Sequence, residues 1–283
     1  MQAAVQARNV QEYDAIFMRR IKVEEKMYEI RQELVTAKIN AAEHGIIYTS
    51  TLSGKLDKDN IEAIEKLLSQ APENIRKVWN MHEDRIEIAD TMYSGTAHYS
   101  HGDGVYFDIF QDTTTIYGRP KFSVFFHENG HQFDDLSGML IYYSSEARYD
   151  LTATLKSEVE DHIQEVLRQL KVEAVAYGKS AKDIKKQNAY EAVEREIKKI
   201  PQEHRRGLSD MFSGCTLNKV DGGYGHSTTY WKNNPEYVSV EFFAETYSSS
   251  IVNPEAIEVI KQYFPRSYAK FESILEGMVA ERK

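Results

Sequence analysis

The stretch that decides the fold runs Pro120-Lys-Phe-Ser-Val-Phe-Phe-His127-Glu128-Asn-Gly-His131. Its last five residues have the pattern H-E-x-x-H, in which two histidines stand four positions apart. On an α-helix such residues lie on one face, so both imidazoles can bind one zinc ion. Glu128, beside the first histidine, can take a proton from an attacking water. The apolar flank is typical of a buried active-site helix, which we predict to start at Pro120 and to end near Gly138.

A catalytic zinc normally has three protein ligands, and this pattern supplies two of them. A further histidine six residues after His131 would complete one common pattern, but that position is Ser137. The remaining candidates are acidic segments downstream of the helix: Glu146 with Asp150, Glu158 with His162, and Glu241 with Glu245. The first two segments are strongly polar or charged, which indicates side chains that face solvent.

The third segment differs because its carboxylates interrupt the apolar run Tyr237-Val-Ser-Val-Glu241-Phe-Phe-Ala-Glu245. Two carboxylates on one face of such a helix are costly to bury unless a cation compensates their charge. A zinc ion is such a cation. We therefore predict that Glu241 is the third ligand and that Glu245 accepts a hydrogen bond from a ligand histidine.

The rest of the chain is predicted to be mostly helical. Apolar residues at steps of three and four predict one amphipathic helix from Val10 to Ala41, ending near Gly45. This helix either packs along its own domain or forms an arm that binds a partner, for example as a coiled coil. Alternating residues predict short strands at 85–89, 93–99 and 104–110, the last two forming a hairpin. Charged amphipathic helices are expected at 151–170 and 181–200, a loop at 219–235 and an apolar helix at 237–250. These elements predict an α+β fold that is mostly helical, with a small mixed sheet.

Composition narrows the class of protein. The net charge of −9 argues against a nucleic-acid-binding protein, since phosphate binding needs a basic face. The single cysteine, Cys215, excludes an internal disulfide and a cysteine-based structural zinc site. There is no apolar run of signal-peptide or membrane-spanning length, so we expect a cytoplasmic or virion-associated protein without a membrane-embedded part.

Two longer motifs resemble a known family. His127-Glu-Asn-Gly-His-Gln-Phe-Asp-Asp135 and Glu241-Phe-Phe-Ala-Glu245 are similar to the H-E-x-G-H and E-F-F-A-E motifs of the anthrax lethal factor catalytic domain and its relatives. Gly223-Tyr-Gly-His226, followed by Tyr230-Trp-Lys, resembles minor head or head-morphogenesis proteins of phages and mobile elements in Gram-positive bacteria. The resemblance covers about residues 100–140 and 208–250. It implies a zincin-like metallopeptidase fold of the gluzincin type, with Glu241 as the third zinc ligand and the strand at 104–110 as an edge that pairs with an extended peptide.

The chain departs from this family at two points. His131 and Glu241 are 110 positions apart, far more than in lethal factor, and the charged helices of 151–200 account for the difference as an insertion. The family also has a tyrosine seven residues before the ligand glutamate, where this chain has Asn234. For the group that stabilises the oxyanion we favour Tyr230, because we predict it in the loop before the helix; Tyr224 and Tyr237 lie nearby, and His226 is the reserve. We divide the chain into an N-terminal helix, 1–50, and a zincin-like catalytic domain, 51–283.

Three functions remain open at this stage. The leading one is a zinc endopeptidase that acts on a peptide or protein substrate, with Glu128 as general base and Tyr230 as oxyanion donor. The second is a non-catalytic phage head or assembly protein that keeps the zinc as a folding element. The third is an intracellular toxin or effector peptidase with the same chemistry. In each case the N-terminal helix is a candidate site for a further partner.

Overall fold

A computed structural model of the chain describes residues 2–88, 97–101, 104–106, 120–137, 145 and 148–280. The described part is mostly helical with one small sheet. Its helices are α1 Gln2–Glu43, α2 Lys58–Gln70, α3 Glu73–His82, α4 Ser123–Ser137, α5 Leu151–Ala176, α6 Lys186–Lys198, α7 Gln202–Thr216, α8 Thr228–Asn233, α9 Tyr237–Val252, α10 Pro254–Tyr263 and α11 Pro265–Ala280. Within these residues no helix combines the length and the apolar character that crossing a membrane requires.

Within the described residues the sheet consists of two short strands. Strand β1, His98–Ser100, pairs antiparallel with β2, Gly104–Tyr106. The predicted strand at 85–89 is a short 3₁₀ turn, Glu83–Arg85, followed by one isolated parallel bridge from Ile88 to Val105. The predicted parts at 89–96 and 107–110 lie outside the described residues.

Strand β2 is not a free edge at Val105, contrary to the expectation for residues 104–110. The Val105 N–H donates to the Glu87 carbonyl at 2.8 Å, while β1 occupies the other side of β2. Val105 therefore has backbone partners on both sides. Its N–H is not available to an added peptide strand.

Helix α1 begins earlier than predicted and contacts its own domain only near its end. It ends at Glu43, and Gly45 then takes the left-handed conformation that commonly follows a helix. Ile39 and Ala42 are buried against α3, and the ammonium group of Lys38 is 2.8 Å from the Glu83 carboxylate. From residue 12 to residue 34 nearly every side chain is exposed. The prediction that α1 packs along its own domain therefore holds only for its last two turns.

The charged helices α5 and α6 pack on the rest of the molecule. The apolar stripe of α5 turns inward, with Leu155, Val159 and Ile163 fully buried in the common core. This helix contacts α6, α7, α9 and α11. The apolar stripe explains this packing, because a helix with such a face is stabilised by burying it.

Candidate metal centre

Helix α4 carries the H-E-x-x-H residues, and it starts later than the sequence predicts. Residues 120–122 form a turn, in which buried Phe122 has a φ of +63°, and the helix begins at Ser123. Left-handed backbone is rare for a bulky side chain. The Phe122 carbonyl still accepts the first helical hydrogen bond, from the Phe126 N–H. The turn thus replaces the helix start predicted at Pro120.

Helices α4 and α9 cross at very short range, and this crossing builds the site. A Cβ added at Gly130 would lie 2.8 Å from the Ala244 Cα. Ordinary contacts between carbon atoms are about 3.5–4.0 Å, so only glycine permits this approach. The small pair Gly130 and Ala244 therefore lets the side chains of one helix reach those of the other.

Three side chains meet where the two helices face each other. The Nε2 atoms of His127 and His131 are 3.2 Å apart, and they lie 3.4 Å and 3.6 Å from Oε2 of Glu241. Zinc bonds to histidine nitrogen and carboxylate oxygen are about 2.0–2.2 Å long, so ligand atoms around a tetrahedral ion lie roughly 3.3–3.6 Å apart. The three observed separations match this spacing. The residues present thus fit a metal ion of that size and geometry.

The surroundings of Glu241 are unusual for a buried carboxylate. It is 5% exposed, and its ion-pair partners among the described residues are three histidines, at 127, 131 and 226. Burial opposes its charge, but the histidines hold the pKa of Glu241 well below its usual value. Burial likewise disfavours the charged form of His127, yet the hydrogen bond to Glu241 and the charges of Glu245 and Glu128 raise its pKa to about 10.

Glu245 lies one helical turn after Glu241 on α9. Its Oε1 is 3.6 Å from Nδ1 of His127, the ring nitrogen that faces away from the three ligand atoms. This distance is in the range of an ion pair rather than a hydrogen bond. Glu245 thus lies beside His127, one of the two predicted ligand histidines, and it is in position to orient the His127 ring.

Tyr230 reaches the same carboxylate from the other side. The predicted loop at 219–235 contains the short helix α8, and Tyr230 lies on it rather than in a loop. Ser227 caps this helix by accepting the Tyr230 N–H, which explains why the polar segment turns helical. The Tyr230 hydroxyl donates to Oε1 of Glu241 at 2.5 Å. Burial and the charge of Glu241 raise the pKa of Tyr230 far above its usual value, so the hydroxyl keeps its proton.

His226 and Asp210 form a pair that sequence reasoning did not assemble. Buried Asp210, on α7, accepts from the His226 backbone N–H at 2.8 Å and lies 3.1 Å from the ring Nδ1. The other ring nitrogen of His226 is 3.7 Å from Glu241, and the ring stacks on Tyr230. Gly225 permits this approach, since its φ is +141° and a Cβ there would meet the Asp210 carboxylate at 2.6 Å. The signal that could have found Asp210 is weaker than the one at Glu241: its carboxylate stands between the buried apolar residues Leu208, Met211 and Phe212.

The other candidates for the third ligand are not part of this cluster. Glu146 lies outside the described residues, and Asp150 is exposed at the start of α5. Glu158 is buried, contrary to the expected solvent-facing position. It accepts from the backbone N–H groups of Arg266 and Ser267 at 2.6 and 3.1 Å, so it caps the N-terminus of α11. His162 contacts the Glu196 carboxylate at 3.3 Å.

A cleft of about 180 Å³ opens beside His127, one of the three residues of the cluster. His127, Glu128 and His226 line one part of it, and apolar side chains such as Val124 and Ile260 line another. The cleft therefore offers polar groups near the histidines and an apolar surface next to them.

Comparison of the chain with protein-family models, with curated proteins and with solved structures finds no match.

Proposed function

We propose that the protein is a zinc-dependent endopeptidase. The single observation that carries the proposal is the cluster of His127, His131 and Glu241, whose ligand atoms are separated by 3.2–3.6 Å. A buried carboxylate beside two histidines, at tetrahedral zinc spacing, is the arrangement expected of a zinc centre. Because the comparisons return no match, the proposal depends on this geometry and on the chemistry of the residues.

Each neighbouring residue has a task in peptide hydrolysis. Zinc held by the three residues would polarise the substrate carbonyl and make an attacking water more acidic. Glu128 follows His127 directly in the chain and lines the same cleft, where it takes the proton from the water and then delivers it to the leaving amine. Glu245 orients the His127 ring through Nδ1. A peptide or protein substrate lies in the cleft, with one apolar side chain against Val124 and Ile260.

Tyr230 is the proposed donor to the oxyanion that forms on the substrate. Its raised pKa keeps the proton on the hydroxyl, which lies at the edge of the ligand set. A donor in this position stabilises the transition state rather than the bound substrate. His226 stacks on Tyr230, and Asp210 fixes its ring, so it is the second candidate for this task.

One observation favours a different function. His226 Nε2 lies 3.7 Å from Glu241, and Asp210, His226 and Glu241 also form a group that could hold a metal ion. A fourth protein ligand would close the site, as in structural zinc centres. The protein would then use zinc for folding, in line with an assembly protein of the phage head type.

A toxin or effector peptidase would share the open site and differ only in its substrate.

Two variants separate an open catalytic site from a closed structural one. The wild type, Glu128→Gln and His226→Ala are each measured for zinc content and incubated with a diverse peptide library, with and without a chelator, before mass spectrometry. We expect both variants to retain one zinc per chain. Glu128→Gln should lose cleavage by about three orders of magnitude or more, because it removes the general base. Loss of zinc from His226→Ala, with no cleavage by the wild type, would refute the endopeptidase and support the structural site.

A further inference from the structure

The exposed part of α1 carries an apolar seam that one arginine, Arg20, interrupts. Numbering Tyr13 as position a of a heptad puts Met27 and Leu34 also at a, and it puts Ile16, Val23 and Ile30 at d. These six side chains are between 48% and 69% exposed. An a and d pattern over three or more heptads is the signature of a coiled coil. We propose that this seam, which we call the a/d seam, pairs with the same seam of a second copy of the chain, in antiparallel orientation.

The seam is not needed by the domain to which α1 belongs. The helix packs on α3 through Ile39 and Ala42. At 3.6 residues per turn, these two side chains project about a quarter turn around the helix axis from the seam. Leu34 and Ala37, close to the domain, are still exposed, and Ala41 after them is half-buried. From residue 13 to residue 37 the seam is therefore open to a second helix.

Charge selects the orientation of the partner. In a parallel pair, Arg20 at position a would face Arg20 of the second copy inside the seam. Lys26, at position g, would also lie beside Arg31 of that copy, at position e. Like charges at these positions destabilise a coiled coil and reject the arrangement. A parallel dimer is therefore disfavoured both inside the seam, at Arg20, and along its flank, at Lys26 and Arg31.

One antiparallel register removes both conflicts. It sets Met27 against Ile30 and Val23 against Leu34 of the second copy, and each pair occurs twice because the contact is two-fold symmetric. Arg20 then faces the small Ala37.

The flanking positions are complementary in this register. Glu24 lies opposite Arg31 and Lys26 lies opposite Glu33, which gives four attractive pairs across the two-fold axis. Within one helix Glu24 and Lys26 already contact Arg20 and Glu29, and the new partners extend these contacts into networks. From Ile16 to Ala41 the paired segment is roughly 39 Å long at 1.5 Å per residue. Complementary flanks and apolar layers over this length identify a second copy as the occupant of the seam.

The first test measures mass in solution. We expect sedimentation equilibrium of the full-length chain to give twice the 32.6 kDa mass of one copy. The double change Met27→Glu and Ile30→Glu should weaken the self-association at least about 100-fold. The matched control is the double change Met18→Glu and Tyr28→Glu, which adds the same two charges outside the seam at positions that are 51% and 65% exposed. A wild type that stays monomeric at 100 µM, or a dimer that the double variant leaves intact, would overturn the proposal.

The second test measures orientation. A spin label is attached to Asp14→Cys in a Cys215→Ala background, because Cys215 is the other cysteine of the chain. In the proposed register the two labelled positions are separated along the helix axis by roughly 44 Å, whereas a parallel pair brings them within about 20 Å. A pulsed dipolar measurement distinguishes these values. A dominant short distance would show that the register derived from the charges is wrong.

Discussion

Replacing Gly130 by alanine tests whether the helix crossing sets the geometry of the proposed metal centre. The new Cβ would lie 2.8 Å from the Ala244 Cα and 3.3 Å from its Cβ. Since carbon atoms in contact lie about 3.5–4.0 Å apart, α4 and α9 must separate by roughly 0.7–1.2 Å at this point. His127 and His131 are on one helix and Glu241 is on the other, so the ligand set is pulled apart. Metal sites tolerate deviations of only about 0.2 Å in ligand distances.

Stability and zinc affinity should respond differently to this change. Overpacking costs about 1–3 kcal/mol, and the better helix propensity of alanine returns about 1 kcal/mol. The net loss of unfolding free energy is therefore small, while zinc affinity should fall about 10- to 100-fold. The assay is a competition titration with a chromogenic chelator, together with thermal unfolding of the metal-free protein.

Gly277→Ala is the matched control for this prediction. Gly277 is also within a helix, but the nearest atom to its added Cβ is the movable hydroxyl end of Tyr149. This variant should bind zinc as the wild type does. If Gly130→Ala has unchanged zinc affinity in a folded protein, the crossing does not control the ligand geometry.

Two further changes address contacts away from the centre. Glu83→Gln leaves the buried Lys38 ammonium without its carboxylate and should lower the unfolding free energy by about 3–5 kcal/mol in urea titrations; an unchanged midpoint would contradict this. Burial opposes the charge of Glu83, but Lys38 and the hydrogen-bond donors around Glu83 lower the pKa of Glu83. The stabilising effect of the Glu83 carboxylate is therefore present above its usual pKa of 4.5 and is lost as the pH falls below that value. This loss should appear in wild-type acid unfolding and be absent from the variant. Glu158→Ala should cost about 1–3 kcal/mol by leaving the Arg266 and Ser267 N–H groups without their acceptor, with zinc content unchanged; loss of zinc would instead identify Glu158 as a ligand.

The sequence was most informative where a residue conflicts with its local surroundings. Glu241 could be selected because a carboxylate within an apolar helix needs a compensating partner, and the structure brings it within 3.6 Å of both histidines. The histidines themselves follow from the helical spacing of four. The long helix α1 and the buried stripe of α5 follow from apolar periodicity in the same direct way.

The features that were predicted wrongly depend on distant parts of the chain. Glu158 looks like a solvated residue on a charged helix because its hydrogen-bond donors are more than 100 positions away. Asp210 and His226 come together only when α7 and the glycine-rich loop pack against each other. The turn at Phe122 contradicts local preference, since tertiary packing holds a bulky residue in left-handed backbone. Short-range patterns carry no record of such contacts.

The cap that Glu158 gives to α11 also bears on the order in which the chain folds. Its carboxylate leaves the ribosome 108 residues before Arg266, the first backbone donor that it accepts. During that interval helix α5, which carries Glu158, can already bury its apolar face, whereas α11, which supplies the backbone donors, has not yet been synthesised. The last helix in turn begins at Pro265 with N–H groups that an early segment must satisfy. A nascent chain released before residue 265 would leave the apolar face of α5 without the last helix that packs on it, and such an exposed surface is a target for chaperones and proteases.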